Sequence, residues 1–84
     1  MQEAQVGTVT HYFTRIGVAA IRLTATLRVG DTVHILGRST DFEQTVDSMQ
    51  IEHAEVEEAT AGQEIGLKVA ERVREGDIVY LAQE

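Results

Sequence analysis

The chain has 84 residues and a formal net charge of −7, with 14 acidic side chains against seven Lys or Arg. This length predicts one domain over residues 1–84, and an apolar fraction of 43% is typical of a chain that buries a core. The absence of Cys excludes disulfides and thiolate sites, and no apolar run is long enough for a membrane helix. Because residues 1–5 lack the features of a secretory signal, we expect a cytoplasmic protein with no membrane partner.

The first part of the chain predicts short β-strands separated by glycines. Residues 6–12 form the first predicted strand, with Val6 and Val9 on opposite faces, and residues 13–17 form a loop. Apolar residues then alternate with other residues over 18–27, as in a strand with one buried face. The residues expected to face inward are Ala19, Ile21, Leu23, Ala25 and Leu27.

Two near-copies of one phrase lie at residues 27–33 and 73–79, and each reads apolar, Arg, any residue, Gly, Asp, any residue, Val. Glycine adopts positive φ without steric cost, so the glycine of each copy predicts a corner between two strands. The aspartates that follow, Asp31 and Asp77, are expected to accept hydrogen bonds from turn amides. We therefore assign them a structural role rather than a catalytic one.

The middle of the chain predicts two more strands. Residues 32–36 place Val33 and Ile35 inward, with Leu36 outside that pattern. The periodicity of residues 43–52 slips, because Val46 and Met49 belong to opposite parities. One inserted residue at positions 47–48 would restore a common inward face, which is how a β-bulge shows itself in a sequence.

The last third of the chain completes an all-β pattern. Residues 52–61 are rich in Glu and Ala but have a thin apolar stripe, so we expect a loop with an extended piece and at most one helical turn. Ile65, Leu67 and Val69 share one face of a further strand, and residues 78–82 form the last one. Six or seven short strands without a substantial helix predict a closed β-barrel, since closure removes exposed sheet edges.

Five ordered motifs carry a resemblance to a known family. They are Gly7-Thr8-Val9, Leu27-x-x-Gly30-Asp31-x-Val33-x-Ile35-x-Gly37, Val46-Asp47-Ser48-Met49-Gln50, Ala59-x-Ala61-Gly62-Gln63-x-Ile65-Gly66-Leu67 and Val73-Arg74-x-Gly76-Asp77-x-Val79-Tyr80. In this order they resemble the second domain of translational GTPases such as elongation factor Tu. They are also similar to the barrel appended to some collagenase-like peptidases. The resemblance covers about residues 6–81 and implies a six-stranded Greek-key barrel.

The function of that family transfers only in part. In the full GTPases this barrel packs against the nucleotide-binding domain and helps to hold the acceptor end of aminoacyl-tRNA. This chain has no Gly-x-x-x-x-Gly-Lys-Ser/Thr loop and Lys68 is its only lysine, so we expect neither GTP nor another cofactor. Val6 stands where the elongation factor has Arg, and residues 11–15 replace its glycine-containing loop. Both departures argue against binding of the tRNA end.

No residue pattern in the chain indicates catalysis or metal binding. His11, His34 and His53 are the only imidazoles, and their spacing matches no zinc motif. Ser39 and Ser48 are the only serines, and neither lies in a Gly-x-Ser-x-Gly elbow. A barrel of this length also leaves little room for a substrate cavity. We predict no catalytic, metal or nucleotide-binding residues and no enzyme activity.

An aromatic and basic segment at residues 11–16 is the strongest candidate for an exposed interaction surface. With a second loop, the candidate surface comprises His11, Tyr12, Phe13, Arg15, Arg38 and Phe42. Three interpretations stay open at this point. The aromatic residues anchor a protein partner, stack on an unpaired base of RNA, or plug one end of the barrel.

Three functions remain after these exclusions. The first is a stand-alone, non-catalytic translation-factor-like barrel that binds another protein. The second is an accessory RNA-binding factor, for tRNA or ribosomal RNA, that uses the arginines of the first half, although the acidic charge disfavours phosphate contacts. The third is a detached recognition module of a peptidase-type enzyme.

Overall fold

The computed structural model describes the backbone of residues 2–83 and the side chains of residues 4–82. Within this range the protein is all-β, with no helix, as predicted. Ten strands follow one another along the chain: β1 (Gln2–Phe13), β2 (Val18–Leu23), β3 (Leu27–Arg28), β4 (Thr32–Leu36), β5 (Asp41–Thr45), β6 (Met49–Ile51), β7 (Ala54–Val56), β8 (Glu58–Ala59), β9 (Glu64–Lys68) and β10 (Ile78–Gln83).

Strand pairing gives an open order rather than the predicted closed barrel of six strands. Eight strands pair in the order β5-β4-β10-β1-β2-β9-β6-β7, and β3 pairs with β8 in a separate ladder. Every described pairing is antiparallel. The strand count exceeds the prediction because the expected strand over 43–52 is broken in two and because β3 and β8 are two-residue pieces.

One hydrophobic core lies behind the inward faces of these strands. Four of the five alternating positions in 18–27 are fully buried as predicted, and the fifth, Ala25, is partly buried and packs against the core. The buried apolar residues are Val6, Val9, Ala19, Ile21, Leu23, Leu27, Val33, Ile35, Phe42, Val46, Met49, Ala59, Ile65, Leu67, Val69, Val73 and Val79. This set confirms the inward parity expected for β2, β4 and β9.

The first strand departs from simple alternation. Val6 and Val9 are both buried, although they were expected on opposite faces. The pairing register shifts between Gln5 and Gly7 against β10, and again between Val9 and His11 against β2. Each shift inserts one extra residue in β1, and an extra residue changes the face to which the following side chains point.

The segment after β5 explains the parity slip that the sequence shows. Val46 and Met49 are both fully buried, but the chain leaves the sheet between β5 and β6 instead of forming a simple bulge. Two backbone hydrogen bonds hold Val46 outside the ladder. The Val46 N–H donates to the Asp31 carbonyl at 2.8 Å, and the Val46 carbonyl accepts from the Gly30 N–H at 2.8 Å. Residues 52–61 contain β7 and β8, so the helical turn considered for them is absent.

The repeated Gly-Asp phrase forms the same turn twice. Gly30 and Gly76 have φ values of 100° and 91°, in the region that glycine alone occupies freely. Asp31 Oδ2 accepts a hydrogen bond from the Arg28 N–H at 3.0 Å, and Asp77 Oδ2 accepts one from the Arg74 N–H at 2.9 Å. The structural role predicted for these aspartates therefore has an observed geometry.

One side chain spans the gap beside β5, which is an end strand of the sheet. The Gln44 Nε2 amide donates to the Lys68 carbonyl at 2.8 Å, and the Ala70 N–H donates to Gln44 Oε1 at 2.7 Å. The side-chain amide of Gln44 thus makes the pair of hydrogen bonds to the backbone at the end of β9 that a neighbouring strand would make.

Candidate functional site

A groove of about 680 Å³ lies on the outer face of β2 and β9, which we call the outer groove. Its floor and walls come from β2, β6 and β9, from the end of β1 and from the turns after β1 and β6. The lining residues are Phe13, Ile16, Val18, Ala20, Gln50, Ile51, Glu52, His53, Gln63, Glu64, Ile65 and Gly66. This volume lies within the range of sites that hold small ligands or a few side chains of a partner.

The floor of the groove is low because its outward-facing residues are small. Ala20 of β2 is paired with Gly66 of β9, and Gly66 is paired on its other side with Gln50 of β6. Residues at neighbouring positions on β2 and β9 point into the core instead, which follows from the two-residue period of a strand.

One wall carries two large apolar side chains that water reaches. Phe13 at the end of β1 is 46% exposed, and Ile16 in the following turn is 62% exposed. Only two other large hydrophobic residues are exposed in the described part of the chain, Val29 and Leu36 at 38% each, and neither lines the groove. Apolar surface concentrated beside a groove is typical of a binding site.

The opposite wall is a strained hairpin. Ile51 pairs with Ala54 across a two-residue loop, and both loop residues have positive φ, 50° for Glu52 and 69° for His53. Such a loop favours Asn-Gly, because glycine and asparagine adopt positive φ more readily than most residues. Each non-glycine residue held there costs on the order of 1 kcal/mol.

The charged groups that line the groove are acidic. Glu52 and Glu64 contribute carboxylates and His53 an imidazole, and the lining contains no Lys or Arg. The Thr10 hydroxyl orients Glu64. It lies 2.7 Å from Glu64 Oε2 and 3.1 Å from the Ala20 carbonyl, and its single hydrogen is donated to the nearer acceptor, Glu64 Oε2. Arg22 lies opposite Glu64 in the β2–β9 ladder, at the end of the groove floor.

The predicted surface residues separate in the structure. Phe13 lines the groove, and the His11 ring packs against the Phe13 ring at an interplanar angle of 68° with centroids 4.5 Å apart. Arg15 is exposed in the turn between β1 and β2, and Arg38 is exposed in the turn between β4 and β5. The groove lining includes neither arginine.

The remaining two aromatic residues pack inward. Phe42 is 9% exposed and belongs to the core, so it does not contribute to an accessible surface as the sequence suggested. Tyr12 is partly buried and packs against the same core. For Phe42 and Tyr12 the packing interpretation fits, whereas Phe13 is 46% exposed and lines the groove.

Most of the residues that line the outer groove could not be predicted from the sequence. Alternation along the strands predicts that Val18, Ala20 and Gly66 face outward. That these three residues lie close to one another depends on the β2–β9 pairing register, which the sequence does not give. The hairpin wall was missed because residues 52–53 lack the Asn-Gly signal of a tight turn.

Potential metal ligands do not cluster in the described part of the chain. There, no group of three or more His, Asp or Glu side chains is placed to hold a metal ion. His11 lies in β1, His34 in β4 and His53 in the turn between β6 and β7. His34 Nε2 lies 2.6 Å from Asp41 Oδ1. Residues 2–83 include no helix that could span a bilayer.

The fold and its motifs define a translation-factor-type β domain. Residues 25–80, more than half of the chain, match the family model described as elongation factor Tu domain 2. The chain therefore belongs to the elongation factor Tu domain 2 family, which confirms the resemblance carried by its motifs.

Individual relatives connect the chain to proteins named as proteases. It is 42% identical to an uncharacterized protease of Methanocaldococcus jannaschii over 84 residues, which are 99% of this chain and 21% of that protein. It is 38% identical to a collagenase of Porphyromonas gingivalis over 81 residues, which are 94% of this chain and 22% of that protein. The chain thus spans about a fifth of the length of the curated relatives it matches.

Solved structures show the same fold at lower identity. The C-terminal domain of a protein named as a U32 peptidase from Geobacillus thermoleovorans has a TM-score of 0.89 at 22% identity, over 95% of this chain and 93% of that chain. Its selenomethionine variant has a TM-score of 0.85 at 23% identity, over 89% of this chain and 95% of that chain. The second resemblance, to the barrel of collagenase-like peptidases, is thereby confirmed.

Proposed function

We propose that this protein is a non-catalytic recognition module of a peptidase-type system and that it binds another protein through the outer groove. The relatives named as protease and collagenase match this chain over only about a fifth of their own length. That proportion is what an appended recognition domain would have.

The observation that carries the proposal is the exposure of Phe13 and Ile16 beside the groove. Aromatic and aliphatic side chains at the edge of a pocket are the usual anchors of protein interfaces, because covering them removes apolar surface from water. Scattered hydrophobic residues are common on protein surfaces, but here two of them flank one cavity.

The residues of the groove support binding rather than catalysis. Its lining contains Glu52, His53 and Glu64 but no Ser, Thr or Cys that could act as a nucleophile. The absence of Cys from the whole chain also excludes a cysteine peptidase mechanism within it.

Charge favours a protein partner over RNA at this site. The two carboxylates of the groove would repel phosphates, and the lining supplies no Lys or Arg to neutralise them. Aromatic stacking on Phe13 alone would leave the phosphates of an RNA strand unpaired.

We further propose that the domain behaves as a closed barrel, with Gln44 as the group that joins β5 to the end of β9. Replacing Gln44 with Ala removes two hydrogen bonds to the backbone of Lys68 and Ala70. We expect Gln44→Ala to lower the free energy of unfolding by about 2 kcal/mol in urea titrations followed by circular dichroism. A variant as stable as the wild type would argue against this closure.

The binding proposal is tested by selecting peptides from a random displayed library on the immobilised protein. The groove variant is Phe13→Ser with Ile16→Ser, and the matched control is Val29→Ser with Leu36→Ser, which removes the other two exposed large apolar residues of the described chain. We expect enriched peptides to bind the wild type and the control but not the groove variant. Peptides that bind all three proteins equally, or no enrichment, would contradict the proposal.

The RNA alternative is measured on the same proteins. Retention of total RNA on a filter, with affinity that falls steeply as salt is added, would support RNA binding instead. We expect no such retention.

A further inference from the structure

Gly66 is unlike the other glycines of the chain, because nothing in the fold requires it. Gly17, Gly30, Gly62 and Gly76 all have positive φ, so each occupies a backbone conformation that L side chains rarely adopt. Gly66 lies inside β9 and has no positive φ. A glycine inside a strand weakens the strand, so its presence needs another explanation.

Close packing does not explain Gly66 either. A Cβ on Gly7 would lie 2.7 Å from Ile21 Cγ2, and one on Gly37 would collide with the Asp77 carboxylate. A Cβ on Gly66 would instead meet Val18 Cγ1 at 3.4 Å, an ordinary van der Waals contact. The space that a side chain of Gly66 would fill is the outer groove itself.

The backbone around Gly66 limits how a ligand can approach. β9 is paired with β2 on one side and β6 on the other, so an incoming chain cannot add to it as a new strand. A ligand must lie on the face of the sheet, over Gly66 and Ala20. Adjacent strands are about 4.8 Å apart, so a floor of three strands has room for one extended peptide.

The charges of the groove select among peptides. Glu52 lies in the hairpin wall and Glu64 at the end of the floor. The lining itself has no Lys or Arg, and Arg22, outside the lining, is paired opposite Glu64. Thr10 holds one oxygen of Glu64, which leaves the other oxygen of that carboxylate for a ligand. Lys or Arg of a partner would be attracted to these two positions.

We infer that the outer groove binds an extended peptide that places an apolar side chain over Gly66, against Phe13 and Ile16, and a Lys or Arg side chain near Glu52 or Glu64. This inference rests on the proposed function, since it specifies the partner of the same site. Gly66 sets the depth of the site, and the two carboxylates set its preference for charge.

The test uses three fluorescein-labelled seven-residue peptides and measures their anisotropy on addition of the protein. The first alternates Lys with Phe and Leu, the second has Glu at the Lys positions, and the third keeps Lys but has Ser at the apolar positions. We expect the first peptide to bind at least about tenfold more tightly than either of the others, and its affinity to fall with salt.

Two groove variants and one control separate the contributions. We expect Gly66→Val to weaken binding of the Lys peptide about tenfold or more by filling the floor, with little change in thermal stability, because valine suits a strand. Glu52→Gln with Glu64→Gln should bring the Lys and Glu peptides to within about threefold of each other. Leu36→Ser should leave all affinities unchanged.

The outcomes distinguish this inference from the proposed function. Apolar peptides that bind with no preference for Lys over Glu, or that ignore Gly66→Val while Phe13→Ser with Ile16→Ser abolishes binding, would overturn the inference alone. If neither apolar peptide binds the wild type and the displayed library yields no peptide, both the inference and the proposed function fail.

Discussion

The two Gly-Asp turns and the β6–β7 hairpin reverse the chain with opposite choices of residue. In the turns at Gly30 and Gly76, glycine occupies the positive-φ position and the next aspartate bonds a backbone amide. In the hairpin, Glu52 and His53 occupy positive φ without a glycine. The residues of the two turns suit the backbone conformation that they occupy, whereas those of the hairpin loop are strained. Of these three chain reversals, only the hairpin lines the outer groove.

This difference indicates what each region contributes. Where a turn serves the fold alone, its residues match what the backbone requires. Where strain persists beside a cavity, the surrounding structure must maintain it, and such positions are often functional. We therefore expect substitutions in the turns to destabilise the protein and glycine in the hairpin to stabilise it.

The largest effect is expected for Gly76→Val. A β-branched side chain at φ 91° is strained whatever the space around it, and we expect a loss of about 2–3 kcal/mol in the free energy of unfolding. Gly30→Val is the matched variant in the other copy and should behave alike. Urea unfolding followed by circular dichroism measures both, and an unchanged midpoint would show that these glycines are dispensable.

A smaller effect separates the two copies of the turn. Asp77 is only 6% exposed, whereas Asp31 is partly exposed to water, which can replace a lost hydrogen bond. We expect Asp77→Ala to cost about 2 kcal/mol and Asp31→Ala about 1 kcal/mol in the same unfolding assay. Equal losses would mean that burial does not distinguish the two copies.

The smallest effect has the opposite sign. His53→Gly relieves the residue at φ 69°, and we expect the protein to gain roughly 0.5–1 kcal/mol of stability. His53→Ala keeps the Cβ and is the control, with no gain expected. A destabilised His53→Gly protein would show that the imidazole contributes more than the backbone strain costs.

Local patterns predicted much of the fold. The turn glycines were identified because positive φ is a local requirement, and inward parity in β2, β4 and β9 was identified because side chains alternate in any strand. The parity slip between Val46 and Met49 was also recognised from the sequence. Its form, a break between two strands, depends on backbone bonds to residues 30–31, which are distant in sequence.

The candidate site was predicted only in part. Phe13 was identified because an exposed aromatic residue in a loop is a local feature, and the same reasoning wrongly included Phe42, which the fold buries. Ala20 and Gly66 have no distinguishing local signal. They become neighbours because β2 pairs with β9 across more than 40 residues of chain.

The sequence by itself determined the all-β class, the positions of the Gly-Asp turns and the core-facing residues of β2, β4 and β9, because each of these depends on φ preferences or on alternation within one segment. Only the tertiary structure decided the order of the strands, the bridge made by Gln44 and the outer groove. The reason is that pairing register is set by contacts between distant segments, and a shift of one residue would turn Ala20 and Gly66 from the groove toward the core.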